Sequence, residues 1–372
     1  MFTSLKVLEL ASVLAGPSVG QFFAELGAEV IKIENPRTGG DVTRSWKATG
    51  EQTDDRSAYF CSCNWGKKSV VLDLTMPADR EKVLQLAAQS DIIIASYKPG
   101  DAEKMGVGYD QIKALRPAII YGLISGYGLD DDRVGYDAVI QAESGFMDLN
   151  GEYDGPPTKM PVALVDVLAA HQLKEGLLLA LLRKQQSGEG SLVQVSLMDT
   201  ALASLTNQAT NWLVAGKVPR RQGSAHPNIA PYGDAFKTAD GKRLLLAVGS
   251  DRQFETLMSI LRLDPSDILW TAFKTNQQRV NSREALRKHL AEVIEKLPSG
   301  PLLQELNRQK VPAGLIQNVR EAMDLALTSA IRLEADGIQA VRSFIASGHD
   351  RLPLSPPPHF GEHTDEVLSS VG

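Results

Sequence analysis

Apolar and polar positions change period in a regular rhythm along the first half of the chain. "LKVLELA" (5–11) is a short strand-like run. "GPSVGQFFAELGA" then supplies a Gly-Pro turn and a helical pattern that stops near Gly27, and "EVIKIE" (29–34) returns to strand. Together they form a strand–helix–strand unit of roughly 30 residues, the seed of a parallel sheet. The rhythm recurs in "KSVVLDL" (68–74), a helix over 77–89, "DIIIASY" (91–97), a helix near 109–115 and "AIIYGLI" (118–124). Runs of consecutive Val and Ile suit strands covered on both faces. The first half is therefore expected to be a doubly wound, Rossmann-like α/β domain, with its ligand at the loops that follow the strands.

Beyond it, residues 167–186 read as helix, ended by the glycines of "SGEG" (187–190), and "LVQVSLM" as a further strand before a helix reaching about 213. "GKVPRRQGSAHPNIAPYG" (216–233) has the Gly, Pro and Arg content of a boundary loop. "DAFKTADGKRLLLAVG" predicts a hairpin turning at Asp240-Gly241, helical segments cover about 251–309, and "VPAGLIQNV" (311–319) is extended. No internal repeat is present. The expected organisation is a large α/β domain over 1–200, completed by 325–372, and a smaller α+β domain with linkers over 201–324.

Composition narrows the classes. With 372 residues the chain can bury a large core without disulfides. Its 39 basic and 45 acidic residues give a net charge of −6 with no dominant basic tract, which argues against nucleic acid as the main partner. No apolar run approaches the ~20 residues that cross a bilayer. "MFTSLKVLELASVLAGP" carries Glu9 inside its apolar stretch and reads as folded strand and turn rather than as a signal peptide. Cys61 and Cys63 with six scattered histidines do not make a zinc set, so reduced thiols in a cytoplasm and no metal are expected.

Familiar fingerprints are missing. "GPSVGQ" stands where a dinucleotide loop would, yet it lacks both the G-x-G-x-x-G glycines and the Gly-Lys-Ser/Thr of a P-loop. "SGYG" (125–128) is not a G-x-S-x-G elbow. One ionisable residue draws attention instead. Asp166 lies within the apolar run "PVALVDVLAAHQ", where the short strand "VALV" gives way to helix. Residue pattern alone favours a helix N-cap there. The alternative is a nucleophilic carboxylate made reactive by partial desolvation. Tyr136 in "GYD", Lys98 and Lys104 in "SYKPGDAEKMG", Lys67 and Lys68 in "NWGKKS", and the Gly-Ser turn of "AVGSDRQF" each admit a structural and a functional role.

The order of these segments is more specific than any one of them. "LKVLELASVLAGPSVGQFFAELGAEVIKIENP", "DVTR", "CNWGKKSVVLDL", "YKPGDAEKMGVGYDQIKALRPAIIYGLISGYG", "GYDAVIQAESGFM", "VALVDVLAAHQLKEGLLLALLRKQQSGEGSLVQVSL" and "PPPHFGEHTDEVL" follow one another nearly end to end. The chain in this respect resembles the class III CoA-transferases, the CaiB/BaiF family that includes formyl-CoA transferase. The resemblance implies that Asp166 is the nucleophile, forming an aspartyl-acyl anhydride and then an aspartyl-CoA thioester, with CoA or acyl-CoA as substrate, a carboxylic acid as acceptor and no metal. It implies CoA contacts at Val13, Leu14, Lys68, Tyr97, Lys98 and Met105, with Tyr136 near the thioester. It places Gly249 and Ser250 at a glycine-rich active-site loop, here reduced to "GSD". Asn35 stands where some members carry a CoA-facing arginine, Ser96 where asparagine is common and Ala170 where many members have glycine. A related racemase would need histidine where Tyr136 stands, and tyrosine, with a pKa of about 10, is a poor base near neutrality. A non-catalytic acyl-CoA-binding homologue is the other alternative. The resemblance also implies an interlocked homodimer, with connecting strands near 200–233 and 311–335.

Overall fold

The computed structural model describes residues 1–264 and 268–370. Contacts divide them into two units: Met1–Phe146, Lys159–Lys217 and Ser329–Gly372 form the first, Met147–Thr158 and Val218–Thr328 the second.

The first unit is built on six strands: β1 (Lys6–Leu10), β2 (Glu29–Glu34), β3 (Lys67–Val71), β4 (Ile92–Ser96), β5 (Ile120–Ser125) and β6 (Ser191–Ser196). Every pairing is parallel and the order is β3-β2-β1-β4-β5-β6. This is the doubly wound order expected of the α/β rhythm, with its reversal between β1 and β4. Alternation along the strands feeds two cores. Val7, Ile92 and Ile94 pack with Phe22, Phe23, Leu173 and Leu177 on one face. Leu8, Leu10 and Ile93 pack with Val83, Leu86 and Ile112 on the other. Each such fully buried side chain contributes about 1.5–3 kcal/mol, which is why these strands read as continuous apolar runs.

Two helices carry the site. Ala15–Glu25 follows β1 and Leu164–Ser187 crosses the same face of the sheet. The expected strand over "VALV" is absent, because the long helix begins two residues before Asp166. Asp166 is therefore its third residue and not its cap.

The second unit holds the antiparallel sheet β7 (Tyr232–Lys237), β8 (Arg243–Ala247) and β9 (Ala313–Leu315), with helices including Asp251–Ile260, Arg283–Ile294 and Ser299–Arg308 packed on it. The hairpin turns at Thr238–Lys242 with Gly241 at a φ of 77°, as Asp240-Gly241 predicts. In the first unit β10 (Arg332–Ala335) and β11 (Ile338–Val341) form a separate antiparallel ribbon. Among the described residues no helix is long and apolar enough to cross a membrane.

Candidate active site

The reversal of strand order opens a crevice at the carboxyl ends of β1 and β4. The chain leaving β1 passes through Val13, whose φ of 73° places a β-branched residue in the left-handed region. Such a conformation costs on the order of 1–3 kcal/mol and persists only where its surroundings impose it. Here they do. The Val13 N–H donates to Asp41 Oδ1 at 3.3 Å, and its carbonyl accepts from Cys63 Sγ at 3.5 Å.

Asp41 belongs to a buried ion network beneath the crevice. Lys32 Nζ lies 2.9 Å from both Glu9 and Asp41 and donates to the Ala11 carbonyl at 2.7 Å, while Lys67 Nζ meets Glu9 at 2.8 Å. Burial pulls the Lys32 pKa down, but Asp41, Glu9 and Glu34 outweigh it and the net shift is upward. Lys67, beside the single carboxylate of Glu9, is left with a lowered pKa by its own burial. Beside this network Arg44 forks onto Glu34 at 2.6 and 2.8 Å and stacks 3.8 Å from the Phe60 ring. Gly20 makes room for the charges: a Cβ there would overlap the Glu9 carboxylate.

Asp166 is 8% exposed, and its carboxylate has no hydrogen-bond or ion-pair partner among the described residues. Burial, then the nearby charge of Asp137, pushes its pKa up to about 7. The N-terminus of the 24-residue helix favours the anion, but burial prevails. The cap that pattern reasoning assigned to Asp166 is supplied from elsewhere in the chain. Asp137 Oδ1 accepts from the Val165 N–H at 2.9 Å, and Oδ2 accepts from Gln141 Nε2 at 2.8 Å. Gln141 Oε1 in turn accepts from the Met160 N–H at 2.9 Å. Asp137 and Gln141 thus fix the chain entering the helix, and Asp137 adds a like charge beside Asp166.

The cavity at Asp166 has a volume of about 320 Å³, and Val13, Leu14, Tyr97, Lys98 and Tyr136 all line it. Met105 lines an adjoining cavity of about 250 Å³. Ser12, Val42, Ser96 and Tyr97 border both, so the two form a continuous groove across the strand ends. Asn35 lies on the Met105 side. Lys98 is exposed at the rim with no ion pair among the described residues. Tyr97 keeps its hydroxyl protonated, its pKa pushed up to about 12 by burial.

Lys68 departs from expectation, since it lines neither cavity. It sits on the outward face of β3 and pairs with Glu29 at 3.0 Å and Glu366 at 2.8 Å, while its neighbour Lys67 points inward to Glu9. Gly249 and Ser250 belong to the second unit. Ser250 Oγ caps the helix Asp251–Ile260 by accepting from Gln253 N at 3.2 Å, and Gln253 Oε1 accepts from Gly249 N at 2.9 Å. Cys61 and Cys63 are buried free thiols, each with its pKa pushed up to about 11 by burial.

The profile of CoA-transferase family III matches residues 3–364. The chain belongs to that family. The transferase is 38% identical over 387 residues to a succinate–glutarate CoA-transferase of Agrobacterium fabrum, covering 99% of this chain and 95% of the relative. It is 34% identical over 378 residues to the human succinyl-CoA:glutarate CoA-transferase, covering 99% and 85% respectively. Its fold matches the crystal structure of a CaiB/BaiF family protein from Brucella suis with a TM-score of 0.89 at 36% identity, over 99% of this chain and 98% of that one. The transferase is thus an enzyme that moves CoA between an acyl-CoA and a carboxylic acid.

Sequence reasoning did not single out Asp137, Trp46 or Arg133, all of which line the Asp166 cavity. Asp137 had a signal in "GYD", where attention went to the tyrosine. Arg133 stacks on Tyr127 at 3.8 Å and is held by Asp131 of its own loop and by Glu143 at the end of the helix Asp137–Glu143 that follows. Gly126 and Gly135 meet backbone to backbone at the same wall, where a Cβ on Gly126 would come 2.7 Å from Gly135 Cα.

Proposed function

We propose that the transferase works covalently through Asp166. The observation that carries this reading is the isolated carboxylate at the sheet's reversal point, buried, without a hydrogen bond among the described residues and poised to ionise near neutrality. An Asp166 oxygen attacks the donor thioester carbonyl, the C–S bond breaks, and CoA leaves as thiolate from an aspartyl-acyl anhydride. The thiolate attacks the aspartyl carbonyl of that anhydride, releasing the donor acid as carboxylate and leaving an aspartyl-CoA thioester. The acceptor carboxylate attacks this thioester and expels the thiolate. Attack of the thiolate on the acceptor's carbonyl then yields the new acyl-CoA and regenerates Asp166. A carboxylate suits the task because it can stand in for each acid in turn, and its partial desolvation leaves it less stabilised as an anion than it would be in water.

The groove from Asp166 to Met105 supports an extended ligand laid along the strand ends. Val13, Leu14, Tyr97, Lys98 and Met105 are assigned to CoA, and Tyr136 to the thioester end. The names of the relatives point to a short dicarboxylate such as succinate or glutarate on one or both acids. Lys98, exposed at the rim with no ion pair among the described residues, accords with anionic substrates. We also infer a homodimer: the helix Thr206–Ala215 exposes Trp212, Leu213 and Val214 by 54%, 77% and 81%, an apolar face suited to burial by a second copy.

The test is chromatographic exchange of CoA from succinyl-CoA onto a panel of monocarboxylates and dicarboxylates. Ping-pong kinetics with stoichiometric acyl-CoA formation is expected. Loss of succinyl-CoA with only free CoA appearing would contradict the transfer.

A further inference from the structure

Two turns beyond Asp166, about 12 Å along the helix axis, a second cavity of about 510 Å³ lies in the first unit; beside its apolar side chains it is lined by Lys174, Ser343, Ser347, His171 and His349, with Glu175 exposed to solvent at its edge. A cavity of that size falls within the range that takes small molecules, and its mixture of apolar walls with a few polar groups is what such sites have. Its polar groups are unusual. Lys174 is 6% exposed, and its ammonium has no hydrogen bond or ion pair among the described residues, only the face of Phe22 at 5.4 Å. Ser343 Oγ, at the same cavity, is buried with no hydrogen-bond partner among the described residues. Glu25 is the carboxylate acting on Lys174, but its oxygens already accept from Gln21 Nε2 at 3.0 Å and from the N–H groups of Ser343 and Phe344 at 2.7 and 3.2 Å.

Buried donors without acceptors are costly, and a ligand that supplies the acceptor removes the cost. We propose that this cavity binds an amphipathic carboxylate, with its apolar body against Phe22, Leu178 and Phe344 and its carboxylate on the Lys174 ammonium and the Ser343 hydroxyl. The walls favour a body of several carbons over an inorganic anion. Burial lowers the Lys174 pKa to about 8, which leaves it mostly charged at pH 7. The site is separate from the Asp166 cavity, with which it shares no lining residue.

Calorimetric titration of the full chain with octanoate at pH 7, in saturating CoA, tests this. One site per chain is expected, weakened at least tenfold by Lys174→Met and severalfold by Ser343→Ala, with 1-octanol at least tenfold weaker than octanoate on the unaltered protein. Failure to saturate at millimolar octanoate, equal affinity in Lys174→Met, or displacement by CoA would overturn the proposal. Should Lys174→Met fail to fold, the Ser343→Ala variant and the octanol comparison decide it.

Discussion

Replacing Asp166 with asparagine keeps the shape of the side chain and removes its ionisation, so the cost of holding a carboxylate in this site becomes measurable as stability. The folded-state pKa of about 7 lies above the ordinary 3.8. The folded protein therefore binds more protons at this group than the unfolded chain does between those values. Ionisation costs nothing below about pH 3.8, its cost grows through the interval, and it is complete above about pH 7. A difference of roughly three pKa units at about 1.4 kcal/mol each gives about 4 kcal/mol at pH 8 and about 1.5 kcal/mol at pH 5. Asp166→Asn should accordingly be more stable than the unaltered protein by a margin that widens with pH. Urea unfolding of both proteins at several pH values from 5 to 8 measures it. A margin that is constant with pH, or that shrinks as pH rises, would refute the claim that this carboxylate is ionised against its surroundings.

Other expectations follow from neighbouring residues. Asp137→Asn retains a carbonyl to accept from Val165 but removes the like charge, so the acid limb of kcat/KM should move down by about one unit; an unmoved limb would deny Asp137 any electrostatic role. Asp137→Ala also loses the helix cap, at a further cost of about 1 kcal/mol in denaturant unfolding. Gly20→Ala pushes a methyl into the Glu9 carboxylate and should destabilise by about 3 kcal/mol, within the range for disrupting a buried ion pair; unchanged stability would mean the network yields freely. Cys61 and Cys63, with about one thiolate in a thousand at pH 8, should resist a disulfide reagent in the native state and react fully in denaturant. Rapid native labelling of either would contradict their burial.

Much of the fold was legible because it is local. Consecutive Val and Ile in β2, β3 and β4, with further apolar strands separated by helical patterns, admit little besides a doubly wound parallel sheet, and Asp240-Gly241 fixes its hairpin by turn chemistry alone. What escaped rests on partners distant in sequence. The cap of the helix bearing Asp166 comes from Asp137, 28 residues earlier, so the local pattern credited Asp166 with a task another residue performs. Lys67 and Lys68 are adjacent on β3, and the strand's alternation sends one to each face without saying which. Only tertiary placement shows that Lys67 meets Glu9 inside while Lys68 meets Glu29 and Glu366 outside. Likewise nothing local marks Met147–Thr158 as part of the second unit. Asp166 stood out as a carboxylate in an apolar run, but its isolation and raised pKa depend on what surrounds it in three dimensions.

The central claim is that Asp166 becomes covalently acylated during transfer. Incubating the enzyme with succinyl-CoA, trapping with hydroxylamine and mapping peptides by mass spectrometry tests it most directly. A hydroxamate on Asp166 that depends on the acyl-CoA, together with loss of transfer in Asp166→Ala, is the predicted result. Full transfer by Asp166→Ala, or trapping only at another residue, would contradict the account.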